Sequence, residues 1–419
     1  MTADRSYWEA TARPGASRPG ASGTIRAEVA ILGAGYTGLS AALHLAQAGR
    51  EVVVIEASHA GAGPSGRNGG QVHSGQRLDQ AALERMLGEA AAMEMWRLAE
   101  QAKALVSALV AEHAIACDLS PGLVHAEHRA RHVAGAHGYA RHLAARYGYR
   151  ETEPLDRAGL SAIVGSADYF GGVIDHGALH LHPLNFVRGL AEAAEAAGAR
   201  IFEGSRVIAV EGDGPVVLRT EAAEIHADFA LLAGDAGLEA LVPEIGARIA
   251  VIEAHQVATA ALNADMAASV LSRDVAVSDS RHVVNYFRLT PDRRLIFGGG
   301  ESFGAARSEA VALPAMLRVF PQLAGVAIEH AWSGKVALTR RRLPYLTRRG
   351  RLYAATGYSG QGVATATFAG ALVAEAISGD SRRFEVLSRL PCPAFPGGRL
   401  LKRPLVAAAL SLYALRDRL

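Results

Sequence analysis

The chain has 419 residues, 50% of them hydrophobic and 20% charged, with 43 Lys+Arg against 41 Asp+Glu for a formal charge of +2. This composition excludes a disordered chain and a small stapled scaffold, and predicts two or three domains with large cores. Its basic residues are scattered along the sequence, which argues against a nucleic-acid partner.

Only Cys117 and Cys392 are present, too far apart in sequence for a disulfide framework or a zinc ribbon, and a reducing, cytoplasmic location is expected. Residues 1–23 carry charges and prolines but no apolar run of the secretory kind. The longest apolar stretch, residues 405–415, is about half of what a spanning helix needs, so no transmembrane segment is expected.

In chain order, residues 1–25 read as an arm. Tyr7 and Trp8 anchor it, a Gly/Ser/Pro linker covers residues 13–23, and ordered structure begins near Arg26. A short apolar strand over residues 28–32 runs into Gly33-Ala34-Gly35-Tyr36-Thr37-Gly38. Leu39, Ala42, Leu43 and Ala46 then recur at helical spacing, Gly49 suits a left-handed cap, and a second strand covers residues 51–55. That is a βαβ unit. Residues 81–116, rich in Ala, Leu, Met and Glu, predict one or two helices. Asn185 is a plausible N-cap for a helix that ends at Gly198, before a strand over residues 200–203. A β-ribbon is expected over residues 207–218, turning at Gly212-Asp213-Gly214, and a strand over residues 229–233. Residues 282–289 and 294–297 predict a hairpin through Thr290-Pro291-Asp292. Helical and strand signals then alternate again over residues 353–377.

The fold class read from this order is α/β. A Rossmann-like nucleotide-binding domain carries an inserted α+β substrate domain built on an antiparallel sheet. The first is assigned residues 26–90, 170–247 and 335–385, the second residues 91–169 and 248–334. Residues 386–419 form a C-terminal tail. Its apolar stretch, flanked by Arg399, Lys402, Arg403, Arg416 and Arg418, is expected to dock on the protein itself.

Three glycine-rich elements carry the chemistry. Gly33, Gly35 and Gly38 supply a tight turn, close backbone approach to a pyrophosphate and close packing of helix on strand. Glu56 ends the next strand, followed by Ala57, where a carboxylate can accept hydrogen bonds from ribose hydroxyls. The second element, from Gly61 through Ser65, Gly66, Arg67, Asn68, Gly69 and Gly70 to Gln71, brings backbone amides up to a flat ligand and suits a flavin better than a nicotinamide. In the third, Gly357, Tyr358, Ser359, Gly360, Gln361 and Gly362 lead into a helix whose free N–H groups favour negative charge on the ring edge.

Together these elements resemble the D-amino-acid-oxidase-like FAD-dependent amine oxidoreductases, a group that includes sarcosine and glycine oxidases. Within it the gamma-glutamylputrescine oxidase branch is the most similar. The motifs Ser6-Tyr7-Trp8, Gly66 to Gln71, Tyr286-Phe287-Arg288-Leu289-Thr290, Phe297-Gly298-Gly299-Gly300, Gly357-Tyr358-Ser359-Gly360 and Phe395-Pro396-Gly397-Gly398-Arg399 carry the likeness. The resemblance implies that the Rossmann-like domain is an FAD-binding domain of the glutathione-reductase type. It places the adenine and ribose of FAD over residues 33–38 and Glu56, with contacts from Val207, Ala233 and Gly234, and the ring between the second and third loops. No cysteine lies near the third loop, and Ser65 stands where some relatives carry a linking histidine, which implies non-covalent FAD.

Strand alternation places Val284, Tyr286 and Arg288 on one face of the hairpin. Arg288 is positioned to pair with a substrate carboxylate, or else lies on a solvated face. His73 and Tyr358 are further lining candidates, with surface placement the alternative for His73, and Lys335 could supply positive charge for oxygen reduction or else forms a plain salt bridge. The pairs His128/His132 and His180/His182 each offer two ligands, which do not make a metal site. No acid–base residue is obligatory. The implied reaction takes a hydride from the carbon next to an amine nitrogen to flavin N5. The imine then hydrolyses to an aldehyde, with O2 or another acceptor reoxidising the flavin and a gamma-glutamyl polyamine as the expected substrate. Oxidation of D-amino acids or N-methyl amino acids, an NAD-dependent dehydrogenase and a non-catalytic flavin-binding protein are the alternatives.

Overall fold

In the computed structural model, residues 5–302 and 306–417 are described. Two sheets organise the chain. In the first, Gly23–Leu32 lies between Val52–Ile55 and Ala223–Leu232, parallel to both, and Leu352–Thr356 continues the parallel set. Arg200–Phe202 and Tyr345–Arg349 close the two edges. The central strands are near-continuous apolar runs because both faces are covered. On one face the helices Tyr36–Gln47, Pro183–Ala196 and Gly362–Ile377 share a core with the strands, and on the other the ribbon Ala209–Glu211/Val216–Arg219 packs with Leu238 and Ile245.

The second sheet runs Ile328–Thr339, Ile249–Thr259, Leu295–Ser302, Tyr286–Leu289, Ala276–Asp279, Ser120–Ala126, Gly172–His180 and Gln71–Val72, with Thr152–Leu155 alongside Gly172–His180. It is antiparallel except where Ala276–Asp279 meets Ser120–Ala126. The helix Ser308–Val319 covers it over a core of Phe287, Phe297, Met316 and Phe320.

This topology moves the expected boundaries. Gln71–Val72, Gly172–His180 and the end of Ile328–Thr339 were assigned to the nucleotide domain, yet all three are strands of the second sheet. Conversely, Glu89–Glu112, assigned from residue 91 onward to the substrate domain, buries Met95, Leu98, Ala102, Val106 and Leu109 in the core of the first. A helix's periodicity states that it has an apolar face, and leaves its partner unspecified. A two-residue strand carries no periodicity at all. Pro183–Ala196 also starts earlier than expected. His182, rather than Asn185, is the N-cap and accepts from the Asn185 N–H at 3.2 Å, while the Asn185 side chain accepts from the Arg13 N–H.

The arm is part of the fold. Ser6 and Glu9 form a reciprocal capping box on the helix Tyr7–Thr11, Trp8 is 1% exposed, and the first long strand begins at Gly23 rather than Arg26. The Tyr7 hydroxyl donates to Asp292 at 2.7 Å. Burial raises the Tyr7 pKa to about 12, so it remains a donor. Burial opposes ionisation of Asp292, but the Thr290 and Tyr7 hydroxyls and Arg294 outweigh it and hold its carboxyl below the usual range. This stabilisation is present above the ordinary carboxylate pKa and is lost as pH falls through the lowered value. Tyr7→Phe is therefore expected to cost about 0.5–1.5 kcal/mol near neutrality and less in acid. Urea unfolding at two pH values checks this, and an undiminished acid difference would discount Asp292.

The tail does dock. The helix Gly398–Arg416 sends Lys402 into a buried site, where its Nζ donates to Glu239 and to the carbonyls of Gly246 (2.7 Å) and Ile249 (2.8 Å).

Candidate active site

Residues from all three glycine loops line one cavity of about 860 Å³. Gly35, Tyr36 and Thr37 come from the first, Ser65, Arg67, Asn68, Gly69 and Gln71 from the second, and Tyr358 to Gly362 from the third; Ala233 also faces it. Gly33, Gly38, Gly66, Gly70, Gly234 and Gly357 do not face it. They form its frame, because each sits where backbones or side chains meet. A Cβ on Gly33 would lie 2.7 Å from the Ala233 carbonyl oxygen, and one on Gly38 would lie 1.9 Å from that of Gly33. Glu56, Ala57 and Val207 also lie outside the cavity lining. The Glu56 carboxylate accepts from the N–H groups of Ala34 and Ser58, both at 2.9 Å, and its carbonyl accepts from Ser205, which brings residues 205–207 beside it.

The second loop is held from several sides. The Asn68 side chain accepts from the Gly70 N–H at 2.8 Å and donates to the carbonyls of Pro64 and Ser65. Ser65 Oγ accepts from the Tyr36 N–H at 3.1 Å, giving the helix Tyr36–Gln47 a cap that its own N-cap, Gly35, lacks. The Arg67 carbonyl accepts from Trp332 Nε1 and from the Gln256 side chain, and the Gln71 side chain spans Val277 and Ser278.

Tyr286 faces the cavity, its ring held between Gly69 and Gly298, where an added Cβ would lie within 2.9 Å and 2.1 Å of it. Tyr358 also lines it, and its hydroxyl meets Thr37 Oγ1 at 2.6 Å. Burial pushes both phenols well above their usual range, so both stay neutral. His73 lines the cavity with Nδ1 buried and unpartnered. Burial lowers its pKa to about 3, with His125 and Arg77 adding to the effect. Lys335 is exposed on the same wall.

Arg288 departs from its expected role. It is 4% exposed and does not line the cavity. Its guanidinium donates to the carbonyls of Leu181 (2.8 Å) and Gly69 (3.3 Å), meets His180 Nδ1 at 3.2 Å and stacks 5.0 Å from the Trp8 ring. Alternation identified the face correctly, but the second loop lies over the part of that face holding Arg288, which supports the loop from behind. The paired histidines likewise serve the fold: His128 bonds Ser280, and His182 caps a helix.

Several cavity residues carried no sequence signal. Asp235, at φ 42°, accepts from Thr356 and from the Gly357 N–H, fixing the third loop. His125, Arg77, Glu301 and Arg342 converge from separate segments. Arg77 and Glu301 do lie next to motifs noted above, four residues after His73 and directly after Gly300.

The cavity suits a flavin. The helix Gly362–Ile377 has no side-chain cap at Gln361, whose Oε1 is buried and unpartnered, and its first residues face the cavity. Sixteen residues of helix therefore aim unused N–H groups into the cavity, which favours a ligand carrying negative charge there. The family model described as DAO, FAD dependent oxidoreductase, matches residues 28–376. The chain belongs to this family.

As a member of the FAD-dependent oxidoreductase family, it uses FAD. It is 36% identical over 419 residues to gamma-glutamylputrescine oxidoreductase of Escherichia coli (strain K12), covering 99% of this chain and 98% of the relative. It is 38% identical over 418 residues to a probable oxidoreductase OrdL of Rhizobium meliloti (strain 1021), covering 99% and 97%. Among solved structures, glycine oxidase from Geobacillus kaustophilus matches with a TM-score of 0.71 at 22% identity, covering 84% of this chain and 95% of that one. L-proline dehydrogenase from P. horikoshii matches with 0.72 at 18% identity, covering 88% and 96%. These structures share the fold. Among the described residues no helix is long and apolar enough to cross a membrane.

Proposed function

We propose that this family member oxidises an amine, with a gamma-glutamyl polyamine type of substrate and O2 as the electron acceptor, and that it holds FAD non-covalently. The observation that carries the reading is a single cavity joining the three glycine loops to a wall of neutral imidazole and phenol groups. The full-length likeness to a gamma-glutamylputrescine oxidoreductase supports the choice of substrate.

Bound FAD supplies a two-electron acceptor. Residues 33–38 and Glu56 would hold its nucleotide part, and the second and third loops its ring. An alkylammonium has a pKa of about 10.4 on the lysine scale, and it must lose its proton before the neighbouring carbon can give up hydride. The cavity favours that loss by desolvation. His73 stays neutral at physiological pH, so it adds no charge and can accept a hydrogen bond from the amine. Tyr286, fixed between two glycines, limits where the reacting carbon sits. The uncapped helix Gly362–Ile377 stabilises negative charge at the ring edge, and Lys335 is the cation for oxygen reduction. Neither Cys117 nor Cys392 lines the cavity, in keeping with a dissociable flavin.

The test is a substrate panel of gamma-glutamyl amines, free polyamines, N-methyl amino acids and D-amino acids, scored by anaerobic flavin bleaching, peroxide formation and reduction of a dye. The expected result is fastest bleaching by a gamma-glutamyl amine, with peroxide in air. Bleaching by amino acids alone would overturn the substrate, dye reduction without peroxide would overturn the acceptor, and flavin that stays with acid-precipitated protein would overturn non-covalent binding.

A further inference from the structure

Three charged side chains on the cavity wall take no part in the chemistry described above. Arg77 follows the short strand Gln71–Val72, Glu301 lies on Leu295–Ser302 opposite Ala254, and Arg342 occupies the turn after Ile328–Thr339 with φ 56°. All three line the cavity. Among the described residues, neither Arg77 nor Arg342 makes a side-chain hydrogen bond or an ion pair, and Glu301 Oε2 is buried with no partner. Arg77 is exposed and Arg342 half-buried, but a buried carboxylate oxygen such as Glu301 Oε2 is rarely left unmatched without a use for it.

We propose that Arg77, Arg342 and Glu301 form a receptor for a free α-amino acid head, the two guanidinium groups binding its carboxylate and the Glu301 carboxylate binding its ammonium. The inference rests on the amine-oxidation reading above and names what the far end of the substrate must carry.

Charge complementarity selects this ligand. A simple carboxylate would match the two arginines and leave Glu301 unpaired. A plain diamine would match Glu301 and set a second cation against two guanidinium groups. A zwitterionic head satisfies all three, and charge-assisted bonds of this kind are the strong ones. The electrostatics agree: burial pushes the Glu301 carboxyl up, and the attraction of Arg342 and Arg77 partly offsets it. The Arg342 and Arg77 guanidinium groups repel each other, and Glu301 attracts both. A bound carboxylate relieves the repulsion between the arginines. Arg288 is unavailable for this task because backbone carbonyls already occupy it.

The test is isothermal titration calorimetry on the flavin-loaded enzyme with gamma-glutamyl methylamide, which has the head but no oxidisable side-chain amine. Its α-N-acetyl and α-carboxamide derivatives complete the set. Wild type is expected to bind each derivative at least about tenfold more weakly than the parent. Glu301→Gln should weaken the parent about tenfold and leave the N-acetyl derivative unchanged. Arg77→Gln or Arg342→Gln should weaken the parent and the N-acetyl derivative but spare the carboxamide. Equal binding of all three ligands by wild type overturns the proposal, whatever the variants do. A uniform loss across ligands in Glu301→Gln also overturns it, since that would mark a structural role. Selective head binding without oxidation of any amine would keep the receptor and sink the reading of the reaction instead.

Discussion

A Gly38→Val chain is expected to purify without its flavin. The Cβ of any larger residue would stand 1.9 Å from the Gly33 carbonyl oxygen, in the first βα turn, and 3.2 Å from Ile31 Cγ2, on the strand before it. A backbone oxygen cannot rotate away, so the helix Tyr36–Gln47 must lift off its strand, which costs on the order of 1–3 kcal/mol or more. Its N-terminus would then no longer meet the pyrophosphate of the FAD proposed to bind there. The ratio of flavin to protein absorbance should fall below about a tenth of wild type, a loss of more than ~1.4 kcal/mol in cofactor binding. Gly63→Ala is the control, because nothing lies within 4 Å of the position its Cβ would take. Full flavin content in Gly38→Val would remove the first loop from the cofactor site.

The second large effect is on stability. The Arg281 side chain, 7% exposed, pairs with Asp168 at 2.7 Å and with the fully buried Asp279. Asp279 also accepts from the Asn285 backbone and side-chain amides and from the Tyr169 hydroxyl. Arg281→Met would leave that carboxylate buried beside acceptors and donors but without its counter-charge, at a cost of about 3–5 kcal/mol. The double variant Arg281→Met/Asp279→Asn is expected to recover a substantial part, since it removes both charges together. Urea midpoints at constant m would show this. A loss below about 1 kcal/mol for the single variant would mean that water reaches the pair and screens it.

What the sequence made legible follows from the range of each signal. The glycines at 33, 35 and 38 were readable because their need is local: strand, turn and helix are consecutive, and contacts within a few residues forbid a Cβ. Tyr286 was readable because period-two alternation assigns a face. Arg288 was misread for the same reason. Alternation assigns a face without saying that residues 66–71 will cover half of it. Arg77, Glu301 and Arg342 stand far apart in the chain and meet only through the second sheet, so no spacing rule could collect them. The domain boundaries failed where a strand was two residues long and where a helix chose its partner through tertiary packing. The ribbon and the hairpin, set by Gly212 to Gly214 and by Thr290-Pro291-Asp292, formed where expected.

The leading peptide acts as a wedge. Trp8 packs edge-on against Trp332 and His182 and lies under the Arg288 guanidinium, while Glu9 takes a hydrogen bond from Arg67 at 3.1 Å. Arg67 belongs to the loop proposed to flank the flavin ring, so the helix Tyr7–Thr11, with no residue on the cavity lining, helps to hold that loop in place. A fusion tag or a protease acting on this stretch would therefore register as a change in pigment retention, although every group that faces the cofactor remained intact.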